Sequence, residues 1–197
     1  MHAPTQLTLF DENGARKYLC DSETVRFLSA ARRADSATCS FCCLLVFTGC
    51  RVSEALATTP ARLDVETGRV IFRTLKRRKT VFRAVPVPPD LMGALRHIAK
   101  NRPEDASLWR WRRPTAWRHV KEVMEAAGIS GAHATPKGLR HGFGMANAEK
   151  NVPMTTTQKW LGHAKLETTA IYQQAVGREE QAFAERLWRG WQKEVRP

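Results

Sequence analysis

The chain has 197 residues, 32 Lys and Arg against 19 Asp and Glu, a net charge of +13 and an isoelectric point near 10.1. With 43% hydrophobic residues it carries enough apolar material to close a core, which excludes intrinsic disorder. Its longest apolar stretch, residues 41–47, is far short of the roughly 20 residues that a membrane-spanning helix needs. No charged and then apolar leader opens the chain, so it reads as a cytoplasmic protein with no membrane partner. The excess of positive charge points to a polyanionic partner, and for a basic soluble domain that is usually nucleic acid.

Residues 1–17 lack periodicity and read as a loosely attached lead; residues 18–197 read as one domain. Asp21 and Ser22 can cap a helix that carries Val25, Phe27 and Leu28. A second helix, Ala37 to Phe47, is apolar nearly all round, which predicts a central core helix closed by Gly49. A further helical turn follows through Val52, Ser53, Glu54 and Leu56. Then the period changes. Val70-Ile71-Phe72 and Val81-Phe82-Arg83-Ala84-Val85 are β-prone runs on either side of a basic tip, Lys76-Arg77-Arg78-Lys79. They predict a hairpin, with no Asn-Gly turn to set its register.

Pro86, Pro88 and Pro89 stop the second strand, and Pro89 suits the first turn of a helix through Leu91, Leu95 and Ile98. Another amphipathic helix follows Pro114, with Trp117, Val120, Val123, Met124 and Ala127 on its inner stripe and Gly128 to close it. From Lys137 onward the pattern predicts several short helices and a longer final one within residues 178–195. The expected fold class is mainly α with a small antiparallel β-hairpin or sheet (α+β). Cys20, Cys39, Cys42, Cys43 and Cys50 are an odd set, crowded into apolar sequence, which is no disulfide framework. Cys39-Ser-Phe-Cys42 is half of a zinc knuckle without a second half, so no metal site is expected and the thiols read as small core residues.

Four segments carry chemistry: Thr48-Gly49-Cys50-Arg51-Val52-Ser53-Glu54, the basic hairpin tip, Gly138-Leu139-Arg140-His141-Gly142-Phe143, and Leu161-Gly162-His163 with Tyr172 nine positions on. Each alone is weak. In this order and spacing they resemble the catalytic domain of the tyrosine recombinases, the phage integrase family, from about Tyr18 to the C-terminus. The resemblance implies that fold, and a site-specific DNA recombinase that cuts and rejoins strands through a 3′-phosphotyrosyl intermediate without metal, ATP or other cofactor. It also implies double-stranded DNA with a specific site as partner, a homo-tetramer on DNA with a monomer allowed as the free state, and a bacterial or mobile-element setting.

The residue types suit such chemistry. A side-chain nucleophile attacking a phosphodiester passes through a phosphorane-like state with extra negative charge, which guanidinium forks match two bonds at a time. The resemblance assigns Arg51 and Arg140 as the clamps, Tyr172 as the nucleophile, and His163 to the phosphate or the phenolic proton. It assigns Lys76 as the general acid on the hairpin, with Lys79 the fallback. Arg78 cannot release a proton usefully, and Arg77, Arg78 and Lys79 are expected to touch DNA. Glu54, one turn after Arg51, is expected to hold its guanidinium. His141 reads as a supporting or structural residue rather than a catalytic one, and His133 as a surface residue.

There are two departures from the family pattern. Lys137 stands where relatives have a histidine, and lysine would donate to phosphate but not readily accept a proton at neutral pH. The N-terminal helical domain of most relatives is also missing, as in small fimbrial phase-switch recombinases or a catalytic fragment. The alternative reading is therefore a catalytically weak or inactive DNA-binding accessory protein of the same fold. A generic RNA-binding protein ranks last, because RRM, KH and zinc-knuckle patterns are lacking. Residues Phe183, Leu187, Trp188 and Trp191 fit either a helix packed on its own domain or one docked in a neighbouring protomer.

Overall fold

A computed structural model describes residues 9–76, 79–173, 184–186 and 188–189. The apolar helix α2 (Ser36–Thr48) is the axis of the molecule and packs against α1 (Asp21–Ala31), α4 (Pro89–Ala99), α5 (Arg113–Ala126) and α6 (Pro136–Glu149). Asp35 caps it, its Oδ1 accepting from the amides of Ala37 and Thr38 at 3.0 Å each. Phe41, Cys42, Leu44 and Leu45 are buried along it, and Trp109 meets Phe41 edge-on at 5.1 Å. Gly49 ends the helix at φ +58°, a left-handed conformation that turns the chain directly into α3 (Val52–Leu56).

The sheet has three antiparallel strands in the order β1 (Leu63–Asp64), β2 (Arg69–Lys76), β3 (Lys79–Pro86). Its register sets Phe72 opposite Arg83, Thr74 opposite Val81 and Lys76 opposite Lys79. Arg77 and Arg78, between the last paired positions, lie outside the described residues. After α6 come α7 (Met154–Leu161) and α8 (Glu167–Gln173). The expected mainly helical fold with a small antiparallel sheet is what the chain forms.

Several local expectations differ. Cys20, not Asp21 or Ser22, is the N-cap of α1; its amide donates to Glu23 Oε2 at 3.0 Å, closing the first turn. Val25 on that helix is 66% exposed. Trp117 does not join the inner stripe of α5; it is 46% exposed, because Ala116, one residue earlier, takes the inward position with Val120, Val123 and Met124. His133 is only partly exposed, with Nε2 3.1 Å from Glu23 Oε1. Residues 9–17 are not loose: Phe10 bridges Arg16, and the Lys17 amide donates to the Leu9 carbonyl at 2.8 Å. Leu9 is buried with Met145, Ala148, Leu161 and Tyr172 in a second small core. The expected final helix lies largely outside the described residues, although 184–186 and 188–189 are helical.

Helix α6 passes so close to α8 that a Cβ on Gly144 would overlap the Tyr172 ring at Cζ. An exposed helix would gain about 1 kcal/mol from Gly→Ala. Here overpacking of about 1–3 kcal/mol opposes that gain. Gly144→Ala is therefore expected to lower the melting temperature by a few degrees; a rise would show that the two helices are not in contact.

Candidate active site

The site forms between the start of α3, helix α6, the end of α7 and helix α8. Arg51 is the N-cap of α3, and its backbone and side chain both bind Glu54: the Arg51 amide donates to Oε2 at 2.8 Å and Nη1 to Oε1 at 3.1 Å. The Arg51 side chain keeps 45% of its surface exposed. Glu54 itself is buried, and its carboxylate is also held by Arg83 of β3, with Nη1 2.9 Å from Oε1 and Nη2 2.7 Å from Oε2. Thr74 Oγ1 of β2 reaches Oε1 at 2.9 Å, and Arg83 Nε donates to the Trp160 carbonyl at 2.8 Å. Burial favours the neutral acid, but the Arg83 fork overrides it and brings Glu54 down to about 2. One carboxylate thus ties α3, both hairpin strands and, through Arg83, the end of α7 into one unit.

Arg140 comes from the middle of α6. Its Nη1 donates to the Gly49 carbonyl at 2.6 Å and Nη2 to the Leu161 carbonyl at 2.7 Å. Both acceptors sit at helix C-termini, where carbonyls lack intrahelical partners and the helix dipole favours a cation. Burial, reinforced by Arg51, lowers Arg140 to about 10, so it remains a cation at neutral pH. Thr135 caps α6, accepting from the Gly138 amide at 3.1 Å, and this starts the helix that carries Lys137, Arg140 and His141.

His163 follows the left-handed Gly162 that closes α7. Its Nδ1 is 2.9 Å from Thr169 Oγ1, and its ring stacks on that of Tyr172 with a 6.3 Å centroid separation and a 17° interplanar angle. Burial, together with Arg140 and Arg51, pushes His163 down to about 3, so it is neutral. Tyr172 on α8 is 1% exposed, and its hydroxyl meets His141 Nδ1 at 3.0 Å. Burial lifts the phenol to about 12 against the opposing pull of Arg140 and Arg51.

These groups converge on one cavity of about 800 Å³, lined by Arg51, Lys137, Arg140, His141, His163 and Tyr172 among others. Five of the six residues that sequence reasoning placed in a catalytic set therefore share a wall. Glu54 lies behind Arg51 rather than on that wall. Lys76 and Lys79 are the last cross-strand pair of the hairpin, and Arg77 and Arg78 lie outside the described residues. Sequence reasoning missed Arg83, Arg113 and Trp117; the last two line the cavity from α5. Arg83 had a signal: it occupies the inward phase of a strand whose Val85 is also buried, where a charge requires a partner.

The sequence model of the phage integrase family matches residues 17–178. The chain belongs to the phage integrase family. Tyrosine recombinase XerA of Pyrococcus furiosus is 30% identical over 153 residues, covering 73% of this chain and 52% of that protein. The crystal structure of XerA recombinase superposes with a TM-score of 0.68 at 26% identity, over 79% of this chain and 59% of that one. The XerH site-specific recombinase in a post-cleavage complex with palindromic difH substrate shares the fold, with a TM-score of 0.75 at 19% identity over 94% of this chain and 57% of that one. This integrase-family chain spans about half the length of the curated relatives it matches. Its fold is that of a tyrosine recombinase catalytic domain.

Proposed function

We propose that the chain is the catalytic part of a site-specific DNA recombinase that works through a 3′-phosphotyrosyl intermediate, with residues 18–197 as the catalytic unit. The observation that carries this reading is the convergence of two guanidinium groups, an ammonium, an imidazole and a phenol on one cavity. Arg51 and Arg140 clamp the non-bridging oxygens of the scissile phosphate, and Lys137 adds electrostatic support. Tyr172 oxygen attacks phosphorus, the bond to the 5′-oxygen breaks, and Lys76 (or Lys79) of the hairpin supplies the proton that the leaving oxygen takes. His163 donates to a phosphate oxygen from the wall beside Tyr172. A partner strand's 5′-hydroxyl then reverses the step, and the protein–DNA ester conserves the bond energy, so the exchange needs no external energy source. Two sites held by a homo-tetramer would supply the partner strands.

The phenol lines the cavity but is almost wholly buried in the resting molecule. That burial also favours the second reading, a DNA-binding accessory protein. A nicked suicide duplex bearing the protein's recognition site, sought among repeats in the DNA on either side of the gene, separates the two. The recombinase reading expects an SDS-resistant protein–DNA adduct and a free 5′-hydroxyl strand. Retarded but unlinked DNA on the same duplex would leave only the accessory role.

A further inference from the structure

Position 137 is a lysine, so the proton that leaves Tyr172 has no acceptor in the histidine usual at that place. We propose that His141 is the proton acceptor for Tyr172, an assignment that rests on the recombinase reading and adds a catalytic residue to it. Among the described residues, His141 Nδ1, at 3.0 Å, is the hydrogen-bond partner of the Tyr172 hydroxyl. His141 and Tyr172 both line the cavity, and the bond between them is buried.

In the proposed arrangement the Tyr172 hydroxyl donates and His141 Nδ1 accepts. Burial first, and then Lys137, Arg140 and Lys17, hold His141 down to about 4, so its ring is neutral at pH 7. Tyr172 is raised to about 12, so its hydroxyl keeps its proton at pH 7 and can donate it to a bare Nδ1. Nδ1 is then the bare acceptor, and the ring proton sits on Nε2. Among the described residues, that buried Nε2 has no hydrogen-bond partner. An imidazole held for structure alone is normally satisfied at both nitrogens, and an orphaned buried polar atom costs about 1–3 kcal/mol.

The other two candidates are poorly placed. His163 commits Nδ1 to Thr169 and presents its face, not an edge, to the Tyr172 ring. Lys137 is exposed one helical turn before His141, and an ammonium has no lone pair to accept a proton.

The resting imidazole is a weak base, and the cavity's own charges account for part of that weakness. The charged or titratable groups facing His141 are Lys137 and Arg140 on α6, Lys17 of the N-terminal segment, and Tyr172 and His163 across the gap. A phosphodiester bound among these cations offsets their repulsion and raises the proton affinity of Nδ1, while Arg51 and Arg140 favour the phenolate. Transfer is thereby coupled to a loaded site. In the step itself, the O–H bond of Tyr172 breaks and an N–H bond forms at Nδ1. The phenolic electron pair becomes the O–P bond, the P–O5′ bond breaks, and the hairpin lysine gives its proton to the departing oxygen. On reversal the imidazolium returns its proton to Tyr172.

Single-turnover adduct formation on the nicked duplex tests this, with folding and DNA affinity measured alongside. His141→Gln is expected to cleave about 10²–10³-fold more slowly at pH 7, the range of a lost general base, with DNA affinity unchanged. The deficit should narrow as pH rises and hydroxide removes the phenolic proton. His141→Ala opens the cavity wall, and added imidazole should restore part of its rate. A wild-type adduct with both variants cleaving within about threefold of it, or a loss that neither imidazole nor high pH relieves, overturns the assignment and leaves the recombinase reading standing. Failure of the wild-type protein to form any adduct overturns both.

Discussion

Tyr172→Phe is expected to abolish the covalent adduct while DNA affinity stays within about twofold. The substitution removes a single oxygen. The ring, which fills the small core with Leu9, Met145, Ala148 and Leu161, is kept, so α8 remains docked on α6. Arg51, Lys137 and Arg140, the cations proposed to attract the phosphate backbone, are untouched. The hydrogen bond to His141 Nδ1 is lost, at a stability cost of about 1 kcal/mol. Activity thus falls to nothing while fold and binding persist, and denaturing gels beside a retardation assay read both. An adduct undiminished in this variant would remove the phenol from the chemistry.

Arg83→Met is the second large effect, and it acts on the scaffold. The Glu54 carboxylate receives both prongs of the Arg83 guanidinium in a buried setting, and cutting one partner from a buried pair typically costs about 3–5 kcal/mol. For a chain of this length that corresponds to a drop in melting temperature of roughly 10 °C at neutral pH. The pH dependence has a definite sign. In the native chain Glu54 titrates near 2 when folded, below its ordinary 4.5, so its stabilisation is complete above 4.5 and is lost as pH falls toward 2. Without Arg83, only Arg51 and Thr74 oppose the burial of Glu54, so its carboxyl titrates higher, and the deficit of the variant should shrink on acidification as the carboxylate takes a proton. Adding Glu54→Gln to Arg83→Met should recover part of the loss. A deficit that is independent of pH, with no recovery in the double variant, would mean that Arg83 contributes through packing on Phe72 rather than through Glu54.

The gross architecture was legible because its signals are local. The all-round apolar α2, the β-prone runs about the basic tip and the prolines before α4 each dictate an element through their own periodicity. The residues around the cavity were legible through motif spacing: Arg51, Arg140, His163 and Tyr172 come from four separate helical termini and segments, yet meet in space. What stayed hidden depends on contacts between distant positions. Ala116, not Trp117, faces inward because the core beneath α5 admits the smaller side chain, and nothing within the helix says so. The Arg83–Glu54 pair spans 29 positions, and the His141–Tyr172 contact spans 31. In sequence His141 is only the neighbour of Arg140; the crossing of α6 and α8 makes it the neighbour of the phenol. Residues 9–17 look featureless because their anchor is one apolar side chain, Leu9, set against the second core.

The proposition on which the rest depends is that one particular oxygen becomes esterified to DNA, and peptide mapping of the adduct reads it directly. Trypsin should release residues 166–178, which contain Tyr172 as their sole tyrosine. After nuclease trimming, mass spectrometry should find that peptide carrying a 3′-linked nucleotide phosphate on the Tyr172 side chain. A nucleotide carried instead on Tyr18, on a serine or on a threonine would contradict the assignment of the site.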